Sequence, residues 1–479
     1  MNLVICEKPS VAMSIAKVIG ATGRQNGYYE GGGYIVSWCV GHLIQMASPS
    51  AYDEKYGKWR LEDLPIIPKQ YKYEVVKATR GQFNTLKKLM NSKEIETVIN
   101  ACDAGREGEL IFRLVYEQSG CKKNIKRLWI SSMEDVAIKE GFRQLKEGKE
   151  YEALYQSALA RSKADWLVGM NMSRLYSLIY NQNYSVGRVQ TPTLAMIVKR
   201  DDEITAFKKE KYYIGELYFT SFTLSTDRID SLEIVEDLVN VVGNTIVVKN
   251  VEKKEKLTKP DLPFDLTTLQ RECNKYFGYS AKQTLDYAQS LYEKKMITYP
   301  RTDSRYLSED MIINTINNIL GKNDFDTERI KVIFNSAKVT DHHAIIPTVS
   351  SLEEDMSTIP ESERKIYNLI LNKLHASTGY PLIENITKIV AVYESQGDVF
   401  EFKASGKVIT DEGFTKYLKQ YGSKKNEDVI LPDLNVGDVL KIKDKEIKEK
   451  YTTPPKHFTE DTLLKAMETA GNDALQKGG

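Results

Sequence analysis

The chain has 479 residues, 41% of them apolar, and 67 Lys and Arg against 66 Asp and Glu, for a formal net charge of +1. That length exceeds one compact core and points to three or four domains, while the balanced charge excludes a whole-chain field that attracts nucleic acid, so any basic surface is local. The five cysteines, at 6, 39, 102, 121 and 273, form no CxxC pair, which argues against zinc ribbons and a disulfide framework and favours a reducing, cytoplasmic setting. No apolar run approaches the ~20 residues of a membrane span, and the first residues read as a strand, not a signal peptide, so a soluble protein with no membrane partner is expected.

Leu3, Val4, Ile5 and Cys6 predict a short strand; Glu7 and Lys8 follow, and Pro9 is placed to open a helix through Ile19. Segment 34–40 predicts a strand, 83–90 a helix and 127–130 a further strand. Between the last two, Val98, Ile99 and Ala101 lead into Asp103, Gly105, Arg106, Glu107, Gly108 and Glu109, and 110–116 has helical spacing. Residues 1–150 therefore read as one α/β domain. Parallel strands deliver their C-terminal ends to one edge, so Glu7 can meet Asp103 and Glu107. Clustered hard oxygen ligands suit Mg²⁺. Lys8 and Arg106 beside the acids, and glycines that leave room, favour phosphate chemistry over acids that merely cap helices.

From 151 to about 204 the pattern becomes long helices, with Leu154, Leu159, Ala164, Leu167 and Val168 on one face. Segments 211–224, 245–251, 388–393, 399–404 and 439–442 predict strands on either side of a helical block at 266–374. Strands this far apart must pair to bury their apolar faces, so the block is expected as an insertion in a β domain. Proline-marked segments 259–264 and 452–456 read as junctions, each followed by a Thr-rich helix start.

Within the block, the turn MITYPRTDS at 296–304 holds Tyr299 two residues before Arg301. Tyrosine can attack a phosphodiester while a guanidinium stabilises the transition-state charge; among 28 tyrosines, a lone one before proline is more often a packing residue. DHHAIIPT at 341–348 sets His342 and His343 in a loop where imidazole can hold a phosphate oxygen or simply pack. SVGRVQTPT at 185–193 mixes small, basic and amide residues ahead of a helix, as a phosphate contact needs, or as an ordinary helix cap does.

Together these residues resemble the type IA DNA topoisomerases, and within them the topoisomerase III branch. Residues 1–150 are similar to a Toprim domain, with Glu7, Lys8, Asp103 and Glu107 at its site positions; TYPRTDS resembles the active-site segment; and 185–193, RSKADWLVG at 161–169, 341–348 and PFDLTTLQ at 263–270 resemble further family motifs, in order. The resemblance implies a multidomain α/β-plus-α-and-β toroid: a Toprim domain at 1–150, a helical DNA-binding domain at 151–207 and 452–479, a β-rich hinge at 208–264 and 385–451, and an inserted helical domain at 265–384 carrying Tyr299. It implies ATP-independent cleavage of one DNA strand by Tyr299 to leave a 5′-phosphotyrosine and a free 3′-hydroxyl, passage of another strand, and resealing. Lys8 and Arg301 would neutralise the scissile phosphate, Glu7 would assist proton transfer and His342 would hold a phosphate oxygen. Asp103 and Glu107, with Glu7, would hold Mg²⁺ for resealing. Arg161, Ser185, Arg188, Gln190 and Thr191 would contact the single strand. The implied partners are single-stranded and negatively supercoiled or catenated DNA, with a helicase as candidate protein partner and a nucleoid-associated monomer as the working form.

Two departures stand out. The family's DxDxE turn has Gly105 at its middle position, which removes one potential ligand, and relatives continue with further helices where this sequence ends at Gly479, so a truncated chain is expected. Two other functions compete: a Toprim nuclease or primase without a tyrosine intermediate, and a catalytically impaired single-strand-binding clamp whose affinity is salt-sensitive.

Overall fold

The computed structural model describes residues 1–321, 325–395, 397–422 and 428–470. The expected helical return at 452–479 therefore lies partly outside the described residues; inside them it contributes the helix Glu460–Thr469, capped by Thr459.

A seven-stranded sheet organises the N-terminal part, in the order Gly23–Gln25, Tyr28–Gly31, Tyr34–Trp38, Asn2–Cys6, Thr97–Ala101, Asn124–Arg127, Lys146–Glu147. Its four central strands are parallel, and the register sets Cys6 beside both Trp38 and Ala101. Leu3 to Cys6 are fully buried, as a parallel strand covered on both faces requires. Glu7 and Asp103 therefore leave two adjacent strands at the same edge, each leading into a helix, Pro9–Ile19 and Arg106–Ser119.

The strand expected at 127–130 lies instead at Asn124–Arg127. Arg127, 1% exposed, ends it: its guanidinium donates to the carbonyls of Asn100 (3.1 Å), Cys102 (2.7 Å), Asp103 (2.8 Å) and Leu128 (2.8 Å). After Leu128 bonds back to Asn100, the chain leaves the sheet.

A second, antiparallel sheet runs Val439–Lys441, Thr245–Thr258, Leu382–Ser395, Asp398–Asp411, Thr223–Ser225, Lys211–Tyr218, Asp444–Tyr451. Thr245–Thr258 pairs with Leu382–Ser395 from Val247 opposite Val392 to Thr258 opposite Leu382, so the chain between them leaves the sheet and returns. The strand expected at 211–224 is two, broken by a turn in which Phe219 donates to Phe222. Asp444–Tyr451 was not legible, because DKEIKEKY has no apolar run; it pairs with Lys211–Tyr218 along eight residues at the sheet edge. The excursion contains Leu266–Phe277, Ala281–Glu293 and Glu361–Thr378, packed around two extended segments, 296–304 and 341–348. These segments lie side by side: Thr298 donates to Ile346 (3.0 Å) and the Thr302 hydroxyl to the His342 carbonyl (3.0 Å).

One buried cluster joins Val4, Cys6 and Ile99 of the first sheet to Leu291, Met296 and Tyr299 of the excursion. The start of the helix Glu152–Ile179 packs on the other face of the first sheet through Tyr155 and Ala158, and the helix Gln190–Thr205 follows it in the chain. No described helix is long and apolar enough to cross a membrane.

The start of Arg106–Ser119 presses against the acidic turn so closely that a Cβ on Gly108 would stand 2.1 Å from the Asp103 carbonyl oxygen. Because the obstacle is backbone, the helix has to move: Gly108→Ala is expected to cost roughly 1–3 kcal/mol, read as a lowered urea midpoint, and an unchanged midpoint would contradict this packing.

Candidate active site

Glu7 and Asp103 are 7% and 9% exposed. Burial, then the charge of Asp103, pushes the Glu7 carboxyl up to about 7 against the opposing pull of Lys8 and Arg301. Asp103 is raised by burial too, partly offset by Lys8, a hydrogen bond from Tyr299, Arg301 and Arg127. Two like charges in one poorly solvated place cannot both ionise cheaply. Glu107 differs: it is exposed and held below the usual carboxylate range, chiefly by its hydrogen bond with His42 Nε2 at 2.5 Å. Glu109, next in the acidic run, turns inward, pairing with Arg113 (3.0 Å) and Arg127 (3.3 Å) and accepting from Asn100 (2.8 Å). It thus anchors the arginine that grips the Asp103 turn. Among the described residues, no three His, Cys, Asp or Glu side chains are gathered tightly enough to hold an ion as they stand.

Tyr299 reaches this edge from the excursion. Its hydroxyl donates to Asp103 Oδ2 at 3.2 Å and its backbone N–H to the Ser131 carbonyl at 3.0 Å. Burial, then the charges of Asp103 and Glu7, holds the phenol well above its usual range. The exposed guanidinium of Arg301 acts electrostatically on Glu7, Asp103, Glu107 and Tyr299. His342 packs on Tyr299, ring centroids 4.5 Å apart. Its Nδ1 faces Ser131 Oγ at 2.9 Å and its Nε2 the Ala104 carbonyl. A carbonyl only accepts, so Nε2 carries the proton and Nδ1 accepts from Ser131. Burial lowers this imidazole to about 4, leaving it neutral at neutral pH, and here both nitrogens are engaged by protein. His343 is a buried packing histidine bonded to the Ala344 carbonyl.

Lys8 stands beside the acids, but its ammonium pairs with Glu293 at 3.0 Å. The strand-contact candidates form a separate exposed group. Arg188 grips Asp165 through two bonds, 2.6 and 3.3 Å, joining segments 161–169 and 185–193; Gln190 donates to Ser185 Oγ (2.9 Å), and Thr191 Oγ1 accepts from Gly187 (3.1 Å). Arg161 links this group to the acids through its electrostatic effect on Glu107.

Sequence reading missed His42, Ser131, Asp165 and Glu293. For Glu293 a signal existed: a carboxylate on the last residue of the helix Ala281–Glu293 opposes the macrodipole and needs a cation. A lone His42 or Ser131 carries no comparable mark.

A family model described as DNA topoisomerase matches residues 149–472, and a Toprim domain model matches residues 2–133. The DNA topoisomerase 3 of Bacillus subtilis is 41% identical over 493 residues, covering 98% of this chain and 67% of that protein; that of Staphylococcus aureus is 40% identical over 490 residues with the same coverage. The structure of full-length topoisomerase I from Thermotoga maritima superposes with a TM-score of 0.74 at 25% identity, covering 98% of this chain and 75% of its own.

Because Glu7 is raised from 4.5 to about 7, folding favours its protonated form: that contribution is full below about pH 4.5 and lost as pH rises through about 7. In chelator-treated protein, Glu7→Gln is expected to gain stability relative to wild type from pH 5 to pH 8, measured by urea unfolding; a constant difference across that range would contradict the shift.

Proposed function

This chain belongs to the type IA DNA topoisomerases, in the topoisomerase III branch, and from that premise we propose that Tyr299 is the nucleophile with which it opens one DNA strand. The activity is breakage of a single strand, passage of another and resealing, which relaxes or decatenates DNA without ATP. The observation that carries the assignment is the 3.2 Å bond from Tyr299 to Asp103, 196 residues away in sequence, at an edge lined by Glu7, Lys8 and Arg301.

In cleavage, the Tyr299 oxygen bonds to phosphorus as the bond to the 3′ oxygen breaks. The phenol is held too high to exist as free phenolate, so its proton passes along the existing bond to Asp103 as attack proceeds. Glu7, near 7 and partly protonated at neutral pH, gives a proton to the departing 3′ oxygen. Lys8 and Arg301 neutralise the phosphate. Resealing reverses each transfer: Glu7 takes the proton of the attacking 3′-hydroxyl, and Tyr299 leaves as phenol. His342 fixes the Asp103–Ala104 turn and holds a phosphate oxygen once Nε2 is released. Arg161, Ser185, Arg188, Gln190 and Thr191 bind the strand, Arg188 exchanging Asp165 for phosphate.

The donor set suits Mg²⁺: Glu7 and Asp103, whose crowding a cation relieves, with Glu107 once His42 lets go. When bound, the ion supplies charge neutralisation and orientation of the 3′-hydroxyl for resealing. The site is closed, with Tyr299 only 7% exposed. Strand entry therefore requires the inserted domain (265–384) to separate from the Toprim domain (1–150), with 208–264 and 385–451 as hinge and 151–207 with 452–479 as strand-binding domain. A DNA substrate is the support for placing its work in the cytoplasm at the nucleoid.

End-labelled single-stranded DNA, mixed with the protein and quenched with denaturant, is expected to yield a covalent adduct that Tyr299→Phe reduces by at least about 10³-fold; nicking that survives the substitution would indicate a Toprim nuclease instead. Gly105 has extended backbone (φ 165°) and open space around its Cβ direction, so an aspartate fits there. Gly105→Asp is expected to lower the Mg²⁺ concentration for half-maximal relaxation severalfold, and an unchanged titration would show that position 105 does not reach the ion.

A further inference from the structure

The Glu293 carboxylate is bound the way a phosphate would be. Oε1 accepts from the Lys8 ammonium at 3.0 Å and from Gln289 Nε2 at 3.1 Å, and Oε2 accepts from Ser10 Oγ at 3.0 Å. Lys8 and Ser10 flank Pro9 at the start of the helix Pro9–Ile19, whose first turn has no acidic residue and whose N-cap side chain makes no capping bond. The positive end of that helix is thus met by a carboxylate from elsewhere in the chain. Glu293 sits at the opposite, negative end of its own helix, so its charge depends on Lys8. The pair is 28% and 26% exposed, dry enough for the contact to count and open enough to exchange.

We propose that Glu293 is a stand-in for the DNA phosphate: it holds Lys8 and Ser10 while the site is empty and releases them to the strand. This rests on the topoisomerase reading above and adds Glu293 as a positioning residue acting through Lys8, and Ser10 as a phosphate contact. Lys8 and Ser10 belong to the first sheet's side of the site, and Glu293 stands six residues before Tyr299 on the other side. Other contacts cross the same boundary: Lys295 with Asp135 at 2.5 Å, the Trp129 indole with the Asp341 carbonyl at 3.3 Å, and Ser131 with Tyr299 and His342. Of these, the Lys8–Glu293 pair is the one whose cation the reaction needs at phosphorus. When a phosphate takes Lys8, the strand gains a contact and the closed arrangement loses one, so substrate binding and separation of the two sides are coupled through one ammonium group.

The test measures binding of a fluorescent single-stranded oligonucleotide against salt, in a Tyr299→Phe background, together with adduct yield in the Tyr299 protein. Glu293→Gln is expected to tighten binding about 3- to 10-fold at low salt. It should also steepen the log–log salt slope by up to about 0.7, the single-strand contribution of one neutralised phosphate, and raise adduct yield. In a Lys8→Met background the same substitution is expected to change neither binding nor slope, as a contact acting only through Lys8 requires. Glu293→Asp, which keeps the charge and shortens the reach, should fall between, and it serves if Glu293→Gln does not fold. Weaker binding or less adduct in folded Glu293→Gln would overturn the inference, as would an effect that persists without Lys8. If the parent protein forms no Tyr299-dependent adduct, it is the topoisomerase reading that fails.

Discussion

Two buried carboxylates at the ends of neighbouring parallel strands set the terms for everything around them. The register of Asn2–Cys6 on Thr97–Ala101 leaves Glu7 and Asp103 little distance and little water, and their mutual repulsion has to be offset by cations or by protons. The protein does both. Arg127, anchored by Glu109, grips the backbone of the Asp103 turn, Lys8 and Arg301 act on the pair from outside the sheet, and Glu7 holds a proton up to about neutral pH. The same crowding that makes the edge unfavourable is what an added positive charge would relieve.

The second half of the site arrives on a different part of the chain. Because Thr245–Thr258 pairs with Leu382–Ser395, everything between them is an excursion with its own helices, and it carries Tyr299 to the acids. Contact between the sides combines an apolar cluster with polar bonds from Tyr299, His342, Lys295 and Glu293. The bonds of Tyr299 and His342 hold both against the first sheet's side, so the contact between the sides is part of the site. A neutral His342 fits this arrangement, since a charged imidazole packed on Tyr299 and buried would have to be desolvated.

Much of this was legible in the amino-acid sequence. The apolar runs before Glu7 and Asp103 announced buried strands because parallel strands are apolar on both faces, and Pro9 fixed a helix start to the residue. The pairing of distant strands followed from their need to bury one face. What stayed hidden was polar and long-range. Asp444–Tyr451 is a strand through its partner, not through its composition. Glu109 looked like one more acid of the site, and only the inward turn of its helix makes it an anchor for Arg127. The partners His42, Ser131 and Asp165 are single polar residues whose importance comes from what tertiary folding sets opposite them.

The central claim is that one tyrosine of the 28 in this chain bonds covalently to DNA. The direct test is tandem mass spectrometry of the denaturant-trapped protein–oligonucleotide adduct after proteolysis and nuclease trimming. The account predicts a residual nucleotide attached through its 5′ phosphate to the peptide containing Tyr299. Attachment to any other residue, or through a 3′ phosphate, would contradict it.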